Sequence, residues 1–359
     1  PHRPPRPAGA HCVTLKGMST TAATRRWGGR LAGLAVSIIA IVIVVSTVDV
    51  AETFEILRRA DPLYLVLVLA AIAAQVAVRG WRWRMLLPHR PDGSAVPLRR
   101  TFSPMLIGYL GNIVLPARLG EAIRSFLVAR REELVPLQAF GATMLERLID
   151  VVVLALIGLA AAVALGAEWW IITIGLVAGV GGVVVLALLV ALGFSRLVDV
   201  ARWVLARLRL ADRLERLLGW AGSFAVGVDR GRDVPRLLGA CGVSVIAWIL
   251  DASIFYLVGR SLGLELAIAE AVLIGAVAVL ATAVPAAPGY VGTFELAATS
   301  TAVALGVPRE EALALAVLVH MVTVIPVAIA GAAALLLSGA SLGSIAAEAE
   351  ETEDAHAAT

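Results

Sequence analysis

The chain has 359 residues, of which 60% are hydrophobic, and its mean hydropathy is +0.90. Charged residues make up only 16% of it, against roughly 25% in an ordinary soluble domain. So few charges cannot cover the surface of a soluble protein of this size, which excludes soluble enzymes of every class. Several apolar stretches exceed the roughly 18 residues that indicate a membrane span. We predict an all-α polytopic membrane protein.

Six full membrane spans are predicted between a leader and a tail that we expect to be disordered. The leader covers 1–30, with Met18 as the suspected native start, and the acidic, small-residue-rich tail covers 339–359. A single membrane domain occupies 31–338. Its spans cover 31–50 (where a secretion signal is the alternative), 62–80, 138–165, 169–194, 237–262 and 312–338.

Arginine-rich segments orient these spans. One follows the span at 62–80 and includes Arg79, Arg82 and Arg84, and the other is the long polar segment at 195–236. The positive-inside rule places both segments and both termini in the cytoplasm. Apolar residues within 195–236 recur at helical spacing, which predicts amphipathic helices on the cytoplasmic leaflet, with a solvated linker helix as the alternative. All but one of the 30 cationic residues are Arg, a bias typical of GC-rich bacterial genomes, so we expect a bacterial inner membrane.

Two further segments, 101–131 and 266–306, are predicted to be re-entrant helical hairpins. Each contains two apolar stretches interrupted by Pro and Gly, and such short stretches are typical of re-entrant rather than full spans. Each break has a Pro, a Gly four residues later and a Glu shortly after. In both halves, 62–165 and 237–338, a span precedes the hairpin and another follows it. Because the halves start on opposite sides of the membrane, they form an inverted-topology repeat, as in many secondary transporters.

Ionisable groups inside membrane segments are the main candidates for function, because each costs a few kcal/mol on insertion scales. Arg118, Glu121 and Arg124 are spaced by three and are expected to share one helix face. A second group begins the third span, where Arg147 is expected to pair with either Glu146 or Asp150. An alternative is that such pairs only permit insertion. The remaining candidates follow the second break or lie within spans. Beyond the first hairpin, the full set of ionisable candidates is Glu146, Arg147, Asp150, Asp251, Glu295 and His320.

The two breaks also predict a binding site for a lipid head group. A half-helix that starts after Pro116 or Pro288 presents free backbone N–H groups, which attract anions. An Arg pair beside such a terminus suits a phosphate. Glu121 and Glu295 are then candidates for a cationic head group or for a proton coupled to transport. Glu121 precedes Glu146 by 25 residues and Glu295 precedes His320 by the same spacing, so these groups are in register.

The segments "GNIVLPARLGEAIRSFLVAR", "ERLID" at 146–150 and "PAAPGYVGTFELA" together resemble the lysylphosphatidylglycerol synthase transmembrane region family, a flippase-like membrane domain. The Trp81-Arg82-Trp83-Arg84 cluster is similar to the basic-aromatic edge of that family. The resemblance covers about 31–338 and implies a role in moving a lipid or lipid-linked molecule. It implies that the motif positions are Pro116, Arg118, Gly120, Glu121, Arg124, Glu146, Arg147, Asp150, Pro288, Gly289, Gly292 and Glu295.

Two departures from the family pattern shape the expected function. Tyr290 stands where the family commonly has a second Gly. Its side chain affects how closely the backbone of the second break can approach a neighbouring segment. Only a short tail follows Ser338, whereas the multidomain synthases carry a soluble tRNA-dependent aminoacyltransferase domain there. We therefore expect that this chain does not synthesise a lysyl lipid.

The leading hypothesis is a lipid translocase for an anionic phospholipid or a polyprenyl-phosphate-linked lipid. The alternative is a non-transporting membrane subunit that docks a glycosyl- or aminoacyltransferase through 195–236. An enzyme that acts on a lipid phosphate is disfavoured, since no metal constellation and no nucleophile–base pair is recognisable. We expect no catalytic residue, metal, cofactor or nucleic-acid partner, and a homo-oligomer, a partner transferase and a coupled proton stay open.

Overall fold

The computed structural model describes residues 49–115, 118–208, 211–282 and 287–338, together with Ile39 and Val42. The leader, the tail, Pro116 and nearly all of the predicted span at 31–50 lie outside the described residues. The described part is α-helical and holds no β-strand, as the sequence predicts. Its helices are α1 (Val50–Arg58), α2 (Pro62–Leu86), α3 (Leu98–Val114), α4 (Gly120–Glu132), α5 (Pro136–Ala164), α6 (Trp169–Leu192), α7 (Phe194–Arg207), α8 (Ala211–Val228), α9 (Val234–Ser261), α10 (Ile268–Ala281), α11 (Thr293–Ala304) and α12 (Arg309–Leu337).

Five helices in the described part are long and apolar enough to cross a membrane, namely α2, α5, α6, α9 and α12. They confirm five of the predicted spans and show a multi-pass membrane protein. Local sequence sets where they begin: Pro62 is the first residue of α2, and the Asp61 carboxylate accepts a hydrogen bond from the Leu63 amide at 2.8 Å. The prediction was wrong at the other end of α2, which continues past Gly80 to Leu86.

The two predicted hairpins are pairs of short helices. In the first half α3 has 17 residues and α4 has 13, and in the second half α10 has 14 and α11 has 12. At about 1.5 Å per residue, each helix is shorter than the roughly 30 Å hydrocarbon core of a bilayer. The lengths agree with the predicted re-entrant hairpins, whose depth in the membrane stays a prediction.

The leading helices of the two halves, α2 and α9, pack side by side in opposite directions. The Asp61 amide at the start of α2 donates to the Ser261 carbonyl at the end of α9, at 2.8 Å. Near the other end of the pair, Arg82 donates to the Ser244 hydroxyl at 2.7 Å. Equivalent helices that run antiparallel are what an inverted repeat requires.

The contacts between helices have the same symmetry. α3 of the first half packs on α12 of the second, and the equivalent α10 packs on α5. Within the halves, α4 packs on α3 and α5, while α11 packs on α10 and α12. Each half therefore places its hairpin against the last helix of the other half, and the two breaks meet near the boundary between them.

The polar segment at 195–236 forms helices α7 and α8, as predicted, and α8 also packs on the membrane domain. A Cβ atom on Gly227 of α8 would lie 2.1 Å from the Gln138 carbonyl oxygen of α5. A Cβ on Gly141 of α5 would lie 2.2 Å from the Phe224 carbonyl oxygen. The backbones of α8 and α5 therefore touch. The position of α7 and α8 on a leaflet stays a prediction.

The crossing of α12 over α3 yields a stability test. A Cβ on Gly331 of α12 would lie 2.5 Å from the Leu106 carbonyl oxygen, whereas a Cβ on Gly242 of α9 meets nothing within 4 Å. We expect Gly331→Ala to destabilise the protein by about 1–3 kcal/mol through overpacking. Gly242→Ala is the matched control and should leave stability equal or slightly higher, because Ala favours a helix. Thermal unfolding in detergent measures both, and equal melting temperatures for the two variants would contradict the crossing.

Candidate functional site

A stripe of polar residues on α2 begins the candidate site. Gln75, Arg79 and Arg82 are spaced by four and three residues, so they share one face of an otherwise apolar helix. Arg79 and Arg82 were predicted to lie in a cytoplasmic loop, and that prediction was wrong because α2 continues beyond them. Both side chains are buried and turn towards α5.

Arg82 is the most enclosed cation of the site. Its side chain is fully buried and its Nη2 lies 2.5 Å from Glu146 Oε1 of α5. The same guanidinium donates to both carboxylate oxygens of Asp150, one of them at 2.9 Å, and Nη1 donates to the Ser244 hydroxyl of α9. Arg82 thus joins α5 and α9 to α2 through charge-assisted hydrogen bonds.

Arg124 of α4 is the second buried cation. Its Nε donates to Glu121 Oε2 at 2.7 Å, and its Nη2 lies 2.7 Å from Glu146 Oε2. The guanidinium lies over the Trp83 ring at 4.7 Å, and the Trp83 indole N–H donates to the Thr143 hydroxyl. Glu146 therefore receives one arginine on each carboxylate oxygen, which fixes α4 and α2 on α5.

Two more arginines complete the cluster at longer distances. Arg147 Nε lies 3.5 Å from Glu121 Oε1, and Arg147 Nη1 lies 3.5 Å from Asp150 Oδ2. Arg79 Nη1 lies 3.8 Å from Asp150 Oδ2. The Arg147 side chain is 25% exposed, the highest value among these seven charged groups. We call this set the charge network: Arg79, Arg82, Arg124, Arg147, Glu121, Glu146 and Asp150.

The charge network has four cations and three anions, which leaves one positive charge uncompensated among its own members. The predicted pairing of Arg147 with Glu146 or Asp150 is present at 3.9 Å and 3.5 Å, but Arg82 makes the shorter contacts to both acids. Arg147 Nε and Nη2 are buried and have no hydrogen-bond partner in the described part of the chain. Arg147 is therefore the cation that retains the most capacity to bind an anion.

Arg118 was predicted to share a helix face with Glu121 and Arg124, and that prediction was wrong. It precedes α4 and has a φ of 54°, a left-handed backbone that is uncommon for residues other than Gly. Its Nη2 donates to the Thr282 carbonyl at 2.8 Å and to the Thr282 hydroxyl at 2.7 Å. The guanidinium also lies 5.3 Å from the centre of the Tyr290 ring. Arg118 thus connects the first break to both sides of the second break.

The glycines of the two breaks allow close backbone contacts and left-handed backbone angles. A Cβ on Gly120 would lie 1.9 Å from the Gly108 carbonyl oxygen, so α3 and α4 touch there. Pro288 begins a short helical turn in which Gly289 has a φ of 74°, and Gly292 follows with a φ of 92°. Tyr290 has a φ of 60°, a left-handed backbone angle that Gly adopts with less strain than other residues.

Glu295 and His320 form a pair at the second break. His320 Nδ1 lies 2.5 Å from Glu295 Oε1, and His320 Nε2 lies 2.9 Å from the Gly289 carbonyl oxygen. Glu295 Oε2 accepts the Gly292 amide at 2.7 Å at the start of α11. A carboxylate of the chain thus accepts from one amide of the terminus where the sequence predicts an anion, and the anion site itself stays a prediction. At α4 the first helical turn likewise carries Glu121.

Asp251 lies apart from the charge network in a cavity between the two halves. Its Oδ1 accepts a hydrogen bond from the Gln75 amide at 2.6 Å, and no ion pair joins it to Arg79 among the described residues. The cavity has a volume of about 210 Å³ and is lined by α2, α3, α9, α10, α11 and α12. Arg79 faces both the cavity and Asp150, so the cavity adjoins the charge network.

Residues 30–331 match the model of the lysylphosphatidylglycerol synthase TM region family. The chain belongs to this family. It is also 28% identical over 357 residues to glycosyltransferase AglD of Haloferax volcanii, covering 90% of this chain and 57% of that protein. The family member described here therefore spans little more than half the length of that curated relative.

Sequence reasoning missed Gln75, Arg79 and Arg82 as site residues, together with Tyr109 of the cavity. The spacing of the three α2 residues is a signal that could have found them, since a polar stripe on an apolar helix indicates a buried polar face. Arg79 and Arg82 were instead assigned to the loop because arginines near a span end also satisfy the positive-inside rule. Tyr109 carries no comparable signal. No cluster of His, Cys, Asp and Glu suited to a metal occurs among the described residues.

The buried contacts of Arg82 yield a second stability test. Arg82→Gln leaves Glu146 and Asp150 without their shortest cationic partner, so we expect a loss of about 3–5 kcal/mol. Arg59→Gln is the control, because the exposed Arg59–Glu55 pair should contribute no more than about 1 kcal/mol. Chemical or thermal unfolding in detergent measures both variants, and similar losses for both would show that the network does not stabilise the fold.

Proposed function

We propose that the protein moves a lipid with an anionic head group between the leaflets of a membrane. The observation that carries this proposal is the charge network, in which four arginines face three carboxylates inside an apolar protein. Buried charge is expensive in a membrane protein and marks functional sites by default. A phosphate at the network would compensate its remaining positive charge, and the family membership supports a flippase-like role.

Arg147 is the residue that we assign to the head group. Its contacts within the network are between 3.5 and 3.9 Å, and part of its side chain is exposed. A guanidinium binds a phosphate with two parallel hydrogen bonds, and such bonds are stronger than neutral ones. Arg82 and Arg124 are already held by short contacts and act as positioning residues. The apolar tails would lie between helices while the head crosses beside the two breaks.

The function of a transporter also requires motion at the breaks. Arg118 joins the first break to Thr282 and Tyr290, which flank the second break. Rocking of one half against the other would break and remake these contacts, as expected for alternating access in inverted repeats. We assign Arg118 to this connection and not to the head group.

A second candidate function is that of a membrane subunit that docks a transferase. The relative named glycosyltransferase AglD is longer than the aligned region, and α7 exposes Trp203 and Arg207 in a cation–π pair. This candidate needs no lipid movement by the chain itself. Charge reversal of the exposed residues Arg196, Arg202 and Arg207 would then abolish the product of the transferase, while Glu121→Gln would be tolerated.

Lipid exchange in proteoliposomes tests the leading proposal. We expect the protein to exchange labelled phosphatidylglycerol or polyprenyl phosphate between leaflets, and Arg147→Gln to slow exchange about 10–100-fold. That range corresponds to a charge-assisted hydrogen bond of about 1.5–3 kcal/mol. Arg309→Gln, at an exposed Arg at the start of α12, is the matched control and should exchange lipid at the unaltered rate.

Both variants should unfold at nearly the temperature of the original protein, so that activity is compared between folded samples. The proposal fails if the folded protein exchanges no lipid across both lipid classes. Unaltered exchange by Arg147→Gln would remove Arg147 from the site. Loss of the transferase product on charge reversal of Arg196, Arg202 and Arg207, together with an absence of lipid exchange, would favour the docking candidate instead.

A further inference from the structure

The cavity between the two halves differs in chemistry from the charge network. It is lined by polar side chains at one side, Gln75, Arg79, Tyr109 and Asp251, and by aromatic rings, Phe255 and Phe294. Arg79 belongs to both, since it lines the cavity and lies 3.8 Å from Asp150 of the charge network. The cavity lies where α2 and α9 run antiparallel, so both halves contribute to it.

The hydrogen-bonding groups that face the cavity include both donors and acceptors. The Gln75 amide donates to Asp251 Oδ1, which leaves the Gln75 carbonyl oxygen and the second Asp251 oxygen as acceptors. Arg79 Nε and the Tyr109 hydroxyl are buried and have no hydrogen-bond partner in the described part of the chain. Buried polar groups are costly to leave unpaired, so Arg79 Nε and the Tyr109 hydroxyl indicate a polar ligand, which the two acceptors would also bind.

The charges at the cavity disfavour two simple head groups. A phosphate would lie beside the Asp251 carboxylate, and an ammonium group would lie beside the Arg79 guanidinium, which is held over the Trp248 ring at 4.7 Å. Each would meet a charge of its own sign in a small space of low dielectric. A neutral group with several hydroxyls meets no such repulsion, because each hydroxyl both donates and accepts.

The size and the apolar side of the cavity narrow the ligand further. Its volume of about 210 Å³ is below the roughly 300–1,000 Å³ of pockets that enclose drug-sized ligands. It therefore suits one small polar group and not a whole lipid. Phe255 and Phe294 offer apolar surface to the C–H groups of a polyol, beside the polar residues that bind its hydroxyls.

We propose that this cavity binds a single neutral polyhydroxylated group, such as one sugar ring or a glycerol, at the head of the translocated lipid. The proposal rests on the proposed function, because it assigns the substrate class of the same translocation path. The charge network would bind the phosphate of the lipid, and the cavity would bind the hydroxyls attached to that phosphate. Asp251, Gln75, Arg79 and Tyr109 would then determine specificity.

Binding to the full chain in phosphatidylcholine nanodiscs tests the proposal. The probes are a polyprenyl phosphate, the same lipid with one hexose on its phosphate, phosphatidylglycerol and phosphatidylethanolamine. We expect the hexose-bearing lipid to bind about 10-fold more tightly than the bare polyprenyl phosphate, because its hydroxyls pair with the buried groups.

Two variants assign the preference to the cavity. Asp251→Asn and Tyr109→Phe should each reduce the advantage of the hexose-bearing lipid over bare polyprenyl phosphate about 3–10-fold. Tyr109→Phe removes one hydroxyl and keeps the ring, so it serves if Asp251→Asn fails to fold. Asp199→Asn, at an exposed Asp of α7, is the matched control and should retain the full preference.

Each outcome supports or overturns the proposal. A preference for phosphatidylglycerol that Tyr109→Phe reduces identifies glycerol as the polyol, and a preference for the hexose-bearing lipid identifies a sugar. Equal binding of all probes, or a preference for phosphatidylethanolamine, overturns it even where lipid exchange depends on Arg147. Polyol-selective binding without any lipid exchange would instead overturn the proposed function and leave the cavity as a binding site.

Discussion

Burying seven charged side chains within an apolar helical protein is possible only if they lie close together, and this requirement organises the first half of the structure. An isolated carboxylate or guanidinium in such surroundings is costly, whereas each acid here has at least two arginines within 4 Å. Glu146 shows the consequence most clearly, since its two oxygens receive Arg82 from α2 and Arg124 from α4. The positions of α2, α4 and α5 relative to one another therefore follow from pairing as much as from apolar packing.

The paired positions that lie 25 residues apart in each half bear different ionisable groups. Glu121 and Glu146 are bridged by Arg124, while Glu295 contacts His320 directly at the same spacing of 25 residues. The first half thus concentrates permanent charge, and the second half uses a single acid–imidazole pair that also binds the Gly289 carbonyl. The two halves of the inverted repeat therefore differ in charge, because only the first bears the charge network.

Close backbone approaches complete the architecture. The broken hairpin of the first half is compact because Gly120 lies against Gly108, and the halves meet closely because Gly331 lies against α3. Arg118 and Tyr290 both adopt left-handed backbone angles at the breaks, and their side chains contact each other across the boundary. The charge network of the first half is therefore a neighbour of the cavity and of the two breaks, which lie where the halves meet.

The sequence by itself determined the membrane class, five of the described spans, both broken hairpins and the repeat order, because these depend on local hydropathy and on Pro and Gly. It also identified Glu121, Arg124, Glu146, Arg147 and Asp150, since charge in an apolar segment is visible without a fold. Only the tertiary structure decided how these groups pair, because α2 and α5 are separated by more than 60 residues where Arg82 meets Glu146. It likewise moved Arg118 away from Glu121 and brought Gln75 to Asp251, since backbone angles at a break and contacts between halves leave no local trace in the sequence.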